Sequence, residues 1–488
     1  MGLFSFYTHV EGRRYSGLAV DLRGLLIWTL GTALFGYLGA VTVLFSVWSR
    51  NKNLDLGYGE MLLLPRNWDS IQARRAQVSV NAGLQAMDLG RWADADMLIR
   101  SGLQRDPGLL VGRCQLASLC LATGRWAQGA SFLEGGFAHR YPGLPYIQDA
   151  FAVAQSADDL ARSTGWCRQL INRFGVSMPA GDRSWLLVRE AQLFLAQGQY
   201  RELIALSSAG SNRTNPGLRE LRTLALLKLG NWSQALDELN RWSLGHPKYD
   251  LLVTCLRAQA FRRGGKLDAM DAQLDLACSM APKEPAVLLF SSTERFQAGQ
   301  FESANLALES FLGRFGSNQA LVESAMDRLF ELKDGRGMDR LLQFAREMGG
   351  PLKQLLISKA VFDLNETNIR QSRTLFAELG AHWNLQSGRE RFLRDYFQLL
   401  DSAATDVGDG PRLRFEYFCR DHSLEWADFS CAVRVLASFH REKAAMRILD
   451  VALERYPCSY HLAALKMEIQ AAPTASVAPT LSDAKRRE

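Results

Sequence analysis

Residues 83–107 read GLQAMDLGRWADADMLIRSGLQRDP, and this stretch decides the fold. Its centre, Gly90-Arg91-Trp92-Ala93, returns as Gly124-Arg125-Trp126-Ala127 and again as Gly230-Asn231-Trp232-Ser233. The first two copies lie about 34 residues apart, a period that marks a solenoid in which each repeat is a pair of helices. Two apolar-periodic runs, Gln77–Leu89 and Ala93–Gln104, are each long enough for about three to four helical turns. Gly90 falls where the first helix must stop, in the left-handed conformation that a residue without a Cβ adopts freely. Trp92 can cover the seam between the helices, while Ala95 and Gly102 let them approach closely. Pro107 ends the second helix because its nitrogen carries no hydrogen to donate. One such pair cannot bury its apolar face alone, so neighbours must stack.

On these residues the chain resembles the tetratricopeptide repeat (TPR) family. The family's succession of small residue, glycine, aromatic, alanine, bulky apolar, small residue and proline is met by Gly83, Gly90, Trp92, Ala95, Ile99, Gly102 and Pro107. A second copy offers Ala117, Gly124, Trp126, Gly129, Leu133 and Gly136, with Pro142 one position late. Further copies carry Ala191, Gly198, Tyr200 and Pro216, then Gly230, Trp232, Ala235, Leu239 and Pro247. Ala258, Gly265, Leu267, Leu274, Ala277 and Pro282 follow, then Gly299, Phe301, Ala304 and Leu308. Ala445, Leu449, Ala452 and Pro457 fit the second helix of a last copy. The resemblance implies an all-α fold, a TPR-like α-solenoid of antiparallel helix pairs. It also implies a protein-protein interaction scaffold. Residues 77–318 are TPR-like repeats on this reading, and residues 319–470 are degenerate TPR-like helical repeats. Residues 143–180 keep the length of a copy but lose the glycine-aromatic turn, and Asp158-Asp159 within them reads as a solvated helix face.

The N-terminus is organised differently. Residues 1–23 read as a tail with Arg13, Arg14 and Arg23, and residues 24–49 contain no charge. The run 24–48 exceeds the roughly 20 residues that cross a bilayer, and Trp28 and Trp48 suit the two interfacial belts. It is read as one transmembrane helix. A buried core helix and a cleaved signal peptide are the alternatives, although the run is long for the latter and lacks a clean small-x-small cleavage site. Thr32, Gly36 and Ala40 share one face, which would let two anchors pack as a homodimer. Arginines and lysines flank the span on both sides, so the positive-inside rule leaves orientation open. A short tail before one span favours an outer, periplasmic-type location for the repeats. Eight scattered cysteines without a pairing pattern favour a cytoplasmic one. Residues 49–76 form a juxtamembrane linker and entry helix capped by Asp69 or Ser70, and residues 471–488 read as a disordered tail.

No constellation of side chains points to catalysis. There is no phosphate-binding glycine loop with its lysine, no nucleophile elbow and no metalloprotease motif. Cys419, His422, Cys431 and His440 lack the spacing of a zinc site, so no metal and no cofactor is expected. The net charge of +6 is spread over 488 residues, which argues against a nucleic-acid partner. The expectation is a membrane-anchored assembly factor or scaffold, not an enzyme. The rivals are a catalytic subsite in residues 320–440, centred on Asp421, His422 and Glu425, and a purely structural spacer.

In stacked pairs the first helix of each lines the concave groove. The resemblance therefore places a partner-binding groove at Val80, Leu84, Met87, Leu121, Val188, Gln192, Leu195, Leu224, Leu227, Gln259, Arg262, Leu289 and Phe296. Cys114, Ser118, Glu220, Cys255 and Thr293 fall on the same lines. Only Glu220 and Arg262 are charged, so the groove suits an amphipathic helix or an extended apolar segment. The lysine-and-asparagine clamp that some family members use for a terminal carboxylate has no counterpart at these positions. Tight coiling that buries them is the alternative.

Overall fold

A computed structural model of the chain describes residues 4–7, 17–20, 22–49, 57–138, 140–242, 247–349, 351–380, 382–383 and 387–471. The tail expected at residues 471–488 lies, past Ala471, outside the described residues. The chain divides into two compact units, Met1–Ala150 and Phe151–Glu488, with no break near residue 318.

In the first unit, strands β1 (Phe4–Tyr7) and β2 (Gly17–Val20) pair antiparallel, with Phe4 opposite Val20. A plain tail was expected there. Helix α1 (Leu22–Ser49) follows, then the short α2 (Tyr58–Leu62). The repeats begin with α3 (Leu64–Asp88) and α4 (Trp92–Arg105), then α5 (Leu110–Ala122) and α6 (Trp126–Gly136). The entry helix and the first repeat helix are therefore one continuous element. It starts at Leu64 rather than at an Asp69 or Ser70 cap, because Pro65 suits a first turn whose N–H groups have no partners.

Helix α7 (Leu144–Ser156) carries the chain into the second unit, where α8 (Leu160–Phe174) completes its pair. The pairs continue as α9 (Ala180–Ala196) with α10 (Tyr200–Ser208), and α11 (Pro216–Lys228) with α12 (Trp232–Asn240). Next come α13 (Pro247–Arg263) with α14 (Leu267–Met280), and α15 (Pro285–Gln297) with α16 (Phe301–Phe315). The degenerate region holds α17 (Gln319–Glu331) with α18 (Gly335–Met348), and α19 (Leu352–Asn365) with α20 (Ile369–Gly380). It ends with α21 (Gly388–Thr405) and α22 (Gly410–Asp421), α23 (Trp426–Ser438) and α24 (Glu442–Arg455), and a lone α25 (Tyr460–Ala471). Apart from the short hairpin, the described fold is an all-α solenoid of antiparallel TPR-like pairs.

One backbone device joins the two helices of nearly every pair. The N–H three residues past the end of the first helix reaches back to a carbonyl five residues earlier. Arg91 N donates to Ala86 O at 2.8 Å, Arg125 N to Cys120 O at 2.7 Å, and Gln300 N to Arg295 O at 2.9 Å. This is the Schellman closure, and the residue before the donor must have positive φ. Gly90, Gly124, Gly198, Gly230, Gly265 and Gly299 supply it at φ between 69° and 81°. Where the glycine signature fades, the turn persists on other residues: Asp158 (φ 54°), Lys333 (58°), Thr367 (61°) and His440 (55°). Their donors Asp159, Asp334, Asn368 and Arg441 make the same bond at 2.7–3.1 Å. The α21/α22 pair uses a different turn, with Gly408 at φ 106°.

Small residues set the helix separation. A Cβ on Gly102 would lie 2.9 Å from the Ala76 carbonyl, and one on Gly129 would lie 2.9 Å from that of Ala117. The repeated tryptophans divide. Trp126 is 1% exposed in the core, and the Trp232 ring lies about 3 Å from where a Gly264 Cβ would stand. Trp92 is 54% exposed and does not cover the seam assigned to it.

Trp126→Ala should therefore cost about 3–5 kcal/mol in chemical denaturation, whereas Trp92→Ala should cost less than about 1 kcal/mol. Similar losses from both would refute the packing difference. Thr367→Gly removes a β-branched side chain from the left-handed region at an exposed position. It should raise stability by about 1 kcal/mol, and a lower denaturation midpoint would contradict the strain.

Candidate interaction groove

The first helices of three consecutive pairs, α11, α13 and α15, line two cavities in the second unit. Leu224, Leu227, Gln259 and Arg262 line a cavity of about 210 Å³ together with Lys228, Glu294 and Arg328. Its floor is charged, not apolar. Arg262 Nε donates to Glu294 Oε2 at 2.6 Å, and Gln259 Nε2 donates to Oε1 at 3.3 Å. The Glu294 side chain is 2% exposed, so this tie is buried where α13 meets α15.

The apolar volume lies toward the N-terminal turns of the same helices. A cavity of about 880 Å³ is lined by Leu251, Leu252, Ala286, Val287 and Phe290, with Pro216, Gly217 and Cys255. Two acids share it, exposed Glu284 and half-buried Glu220. Burial pushes the Glu220 carboxyl above the ordinary glutamate range. Among the described residues no cation pairs with it. Family register touches this volume only at Glu220 and Cys255, because it selects positions nearer the middle of each first helix. The signal that would have found it is the apolar pairing Leu251-Leu252 with Ala286-Val287 just after a helix start.

The remaining groove positions fare differently. Val80 is fully buried, so its assignment to a groove is corrected. It packs with Ile99 and Leu116, and glycines at 102 and 112 leave space for its methyl groups. Cys114 and Thr293 are likewise core. Leu84 and Met87 pack half-buried on the Val80 cluster, and Leu121 is half-buried. Val188 and Leu195 pack on Ala191, Phe194 and Leu218, whereas Gln192 is exposed. Leu289 is half-buried, and Phe296 makes an edge-to-face pair with Phe301 of α16 at 5.4 Å. Close packing thus takes several positions assigned to the groove and leaves open space beside others at α11–α15.

The polar clusters have structural work. The Glu425 N–H donates to Asp428 Oδ2 at 3.0 Å in a capping box at the start of α23. The His422 ring stacks on Phe418 at 4.0 Å, and Asp421 is exposed.

Asp158 and Asp159 are not a solvated face. Both are buried, and Asp158 meets the last helix of the chain. Its Oδ2 accepts from Ser459 Oγ at 2.7 Å and from His461 N at 2.8 Å, while its Oδ1 lies 2.7 Å from His461 Nδ1. Tyr460 N donates to the Asp158 carbonyl at 3.0 Å, and Tyr460 Oη donates to the Gln197 carbonyl at 3.0 Å. The array in the second unit therefore returns on itself. The left-handed turn of its first pair caps the N-terminus of α25.

No family model matches the chain, and no curated protein sequence matches it. Solved structures do. A tetratricopeptide repeat protein from Parabacteroides merdae ATCC 43184 is 10% identical, with TM-score 0.30 over 66% of this chain and 98% of that one. The APC/C hetero-tetramer Cut9-Hcn1 is 13% identical, with TM-score 0.30 over 90% of this chain and 81% of that one. PilW, a type IV pilus biogenesis factor, is 14% identical, with TM-score 0.21 over 50% and 96%. No residue-level correspondence follows from similarities this low. The repeat turns and helix pairing give this chain a TPR-like helical-repeat fold.

The Asp158 hydrogen bond raises His461 above the ordinary histidine range, against desolvation and the nearby Arg434. A raised value means that the stabilisation is complete below the unfolded pKa of about 6.5 and is lost as pH rises through the folded one. His461→Gln should lower the thermal midpoint at about pH 6, and the gap should close by about pH 9. A gap that grows with pH would contradict the ionised pair.

Proposed function

We propose that the protein is a membrane-tethered scaffold whose α11–α15 groove receives an apolar segment of a protein partner. The observation that carries this is the open cavity of about 880 Å³ with Leu251, Leu252, Val287 and Phe290 on its walls. Apolar side chains left facing open volume gain free energy when a partner covers them, about 25 cal/mol per Å² removed from water. Cavities of this size with a few polar groups are common recognition sites. Glu220 and Glu284 add a preference for a segment that also carries a lysine or arginine, since an unpaired half-buried carboxylate gains from a cation.

The tether is α1, whose 24-residue stretch Leu25–Trp48 is long and apolar enough to cross a membrane. Thr32, Gly36 and Ala40 are exposed on it, which leaves the expected homodimer face available to a second copy. A scaffold so placed would hold its partner within reach of the bilayer and would assemble a membrane-associated complex.

The test is mild cross-linking of the full-length protein in its own membranes, followed by identification of what is captured. Leu252→Ser with Phe290→Ser should abolish capture of the specific partner while helicity and cooperative unfolding are retained. Leu306→Glu, at a 67% exposed site on a second helix, should leave capture intact. Undiminished capture by the groove variant would refute the assignment.

A further inference from the structure

Helix α1 changes character at Tyr37. Before it, large apolar side chains dominate the exposed surface, among them Leu26, Ile27, Trp28, Leu30, Leu34 and Phe35, with Thr29, Thr32 and small residues between them. After it, the exposed face is Gly39, Ala40, Thr42, Val43, Ser46 and Val47. Thr42 and Ser46 are weakly polar, and only two bulky apolar groups remain.

The other face of this second half is not free. Tyr37 Oη donates to the Leu62 carbonyl at 2.7 Å, and Val41 is buried with Met61 and Ile71. Phe45 meets Tyr58 edge-to-face at 5.3 Å, and the Arg75 guanidinium lies 4.2 Å over the Trp48 ring. These contacts order the elements along α1. Helix α2 runs back from the level of Phe45 to that of Tyr37, and α3 then returns to the level of Trp48.

This hairpin carries charge. Arg66 and Asp69 are exposed, and Arg74 pairs with Glu60 at 2.8 Å with both side chains partly exposed. If hydrocarbon surrounded α1 as far as Trp48, all four would lie within it, where ionised side chains are costly. At the bend, beside Tyr37, the exposed groups are instead Leu63 and Pro65, with Trp68 one turn further on. Tryptophan and tyrosine favour the level of the lipid headgroups.

Resting on the reading of α1 as the membrane anchor, we infer that the bilayer surface falls at Tyr37, not at Trp48. Leu63 and Trp68 form a second lipid contact at that level. The partner of this surface is a fluid lipid bilayer, and its continuity with the apolar face of α1 is what selects that occupant. The last three turns of α1 stand in water as part of the folded head. Gly24–Gly36, the uncharged part below that level, then supplies about 20 Å of embedded helix at about 1.5 Å per residue. That is shorter than the roughly 30 Å hydrocarbon core, and local thinning of the bilayer meets the difference.

The experiment uses the full-length protein in phosphatidylcholine nanodiscs, whose two faces are both open to solution. Single substitutions Leu34→Cys, Val43→Cys, Val47→Cys and Leu63→Cys are treated with a water-soluble maleimide. Labelling is read at each introduced site by peptide mass spectrometry, so the eight native thiols do not interfere. The four sites are 59%, 62%, 56% and 56% exposed in the protein itself, so differences between them report lipid. Only a hydrated thiolate reacts. The expected result is fast labelling at 43 and 47, with at least about tenfold slower labelling at 34 and 63. Slow labelling at 43 and 47 as well would overturn the inference and place the whole run in lipid. Fast labelling at 63 would remove the second contact. Fast labelling at 34 would defeat the anchor reading itself, which separates that failure from a misplaced boundary.

Discussion

The fold depends on a single backbone hydrogen bond made over and over: the N–H after a left-handed residue donating to a carbonyl five residues back. It satisfies carbonyls that would otherwise be orphaned at the end of each first helix, and it sets the direction in which the second helix departs. Once direction is set, small residues such as Gly102 and Gly129 fix the separation. The pairs can then stack at constant pitch. The bond asks only for a φ near 60°. Glycine meets that without strain, and other residues meet it at a cost of about 1–2 kcal/mol. Lys333, Thr367 and His440 bear this cost in the region where the sequence signature fades. Strain of this kind persists only where the surrounding packing over-determines the backbone. The stacked helices on either side supply that.

Asp158 shows what a non-glycine turn residue adds. A glycine there would give the same backbone bond from Asp159 N to Ala154 O and nothing more. The carboxylate, projecting from the turn between the two helices of the first pair in its unit, reaches Ser459, His461 and thus the first N–H groups of α25. Those groups have no partner within their own helix and favour negative charge. A helix start over 300 residues downstream is therefore capped in trans, with the Trp426 ring stacked on His461 at 5.1 Å beside it. The side chain that makes the turn costly also makes the closure.

The sequence was legible where chemistry is local. Gly90, Gly124 and Gly299 announce turns because φ is a property of one residue, and the 34-residue spacing follows from two helices and two connections. The same locality explains what was missed. The turn at Asp158 looked absent because the positive φ was sought in glycine alone. Its burial depended on residues near 460, a separation no periodicity reveals. Val80 illustrates a second limit. Family register places it on a groove, but glycines at 102 and 112 in neighbouring helices leave a hollow that a β-branched side chain fills. Trp92 and Trp126 occupy equivalent positions yet differ from 54% to 1% exposure, because burial is decided by neighbours and not by the motif.

The groove follows from the same interplay of local rule and neighbour. Along α13 and α15 the polar ties sit toward the C-terminal halves: Arg262 with Glu294, and Arg295 with Asp271. A buried ion pair such as Arg262–Glu294 is worth its desolvation only when both groups are held in good geometry, so it locks α13 to α15 at that level. The N-terminal halves carry Leu251, Leu252, Val287 and Phe290, which have no directional partners and can pack only by contact. Contact packing fills space where the helices are close and leaves it open where they are not. The apolar volume beside Glu220 is thus set by where the ionic ties fall. A partner segment that fills it would complete the packing that the helices leave unfinished there.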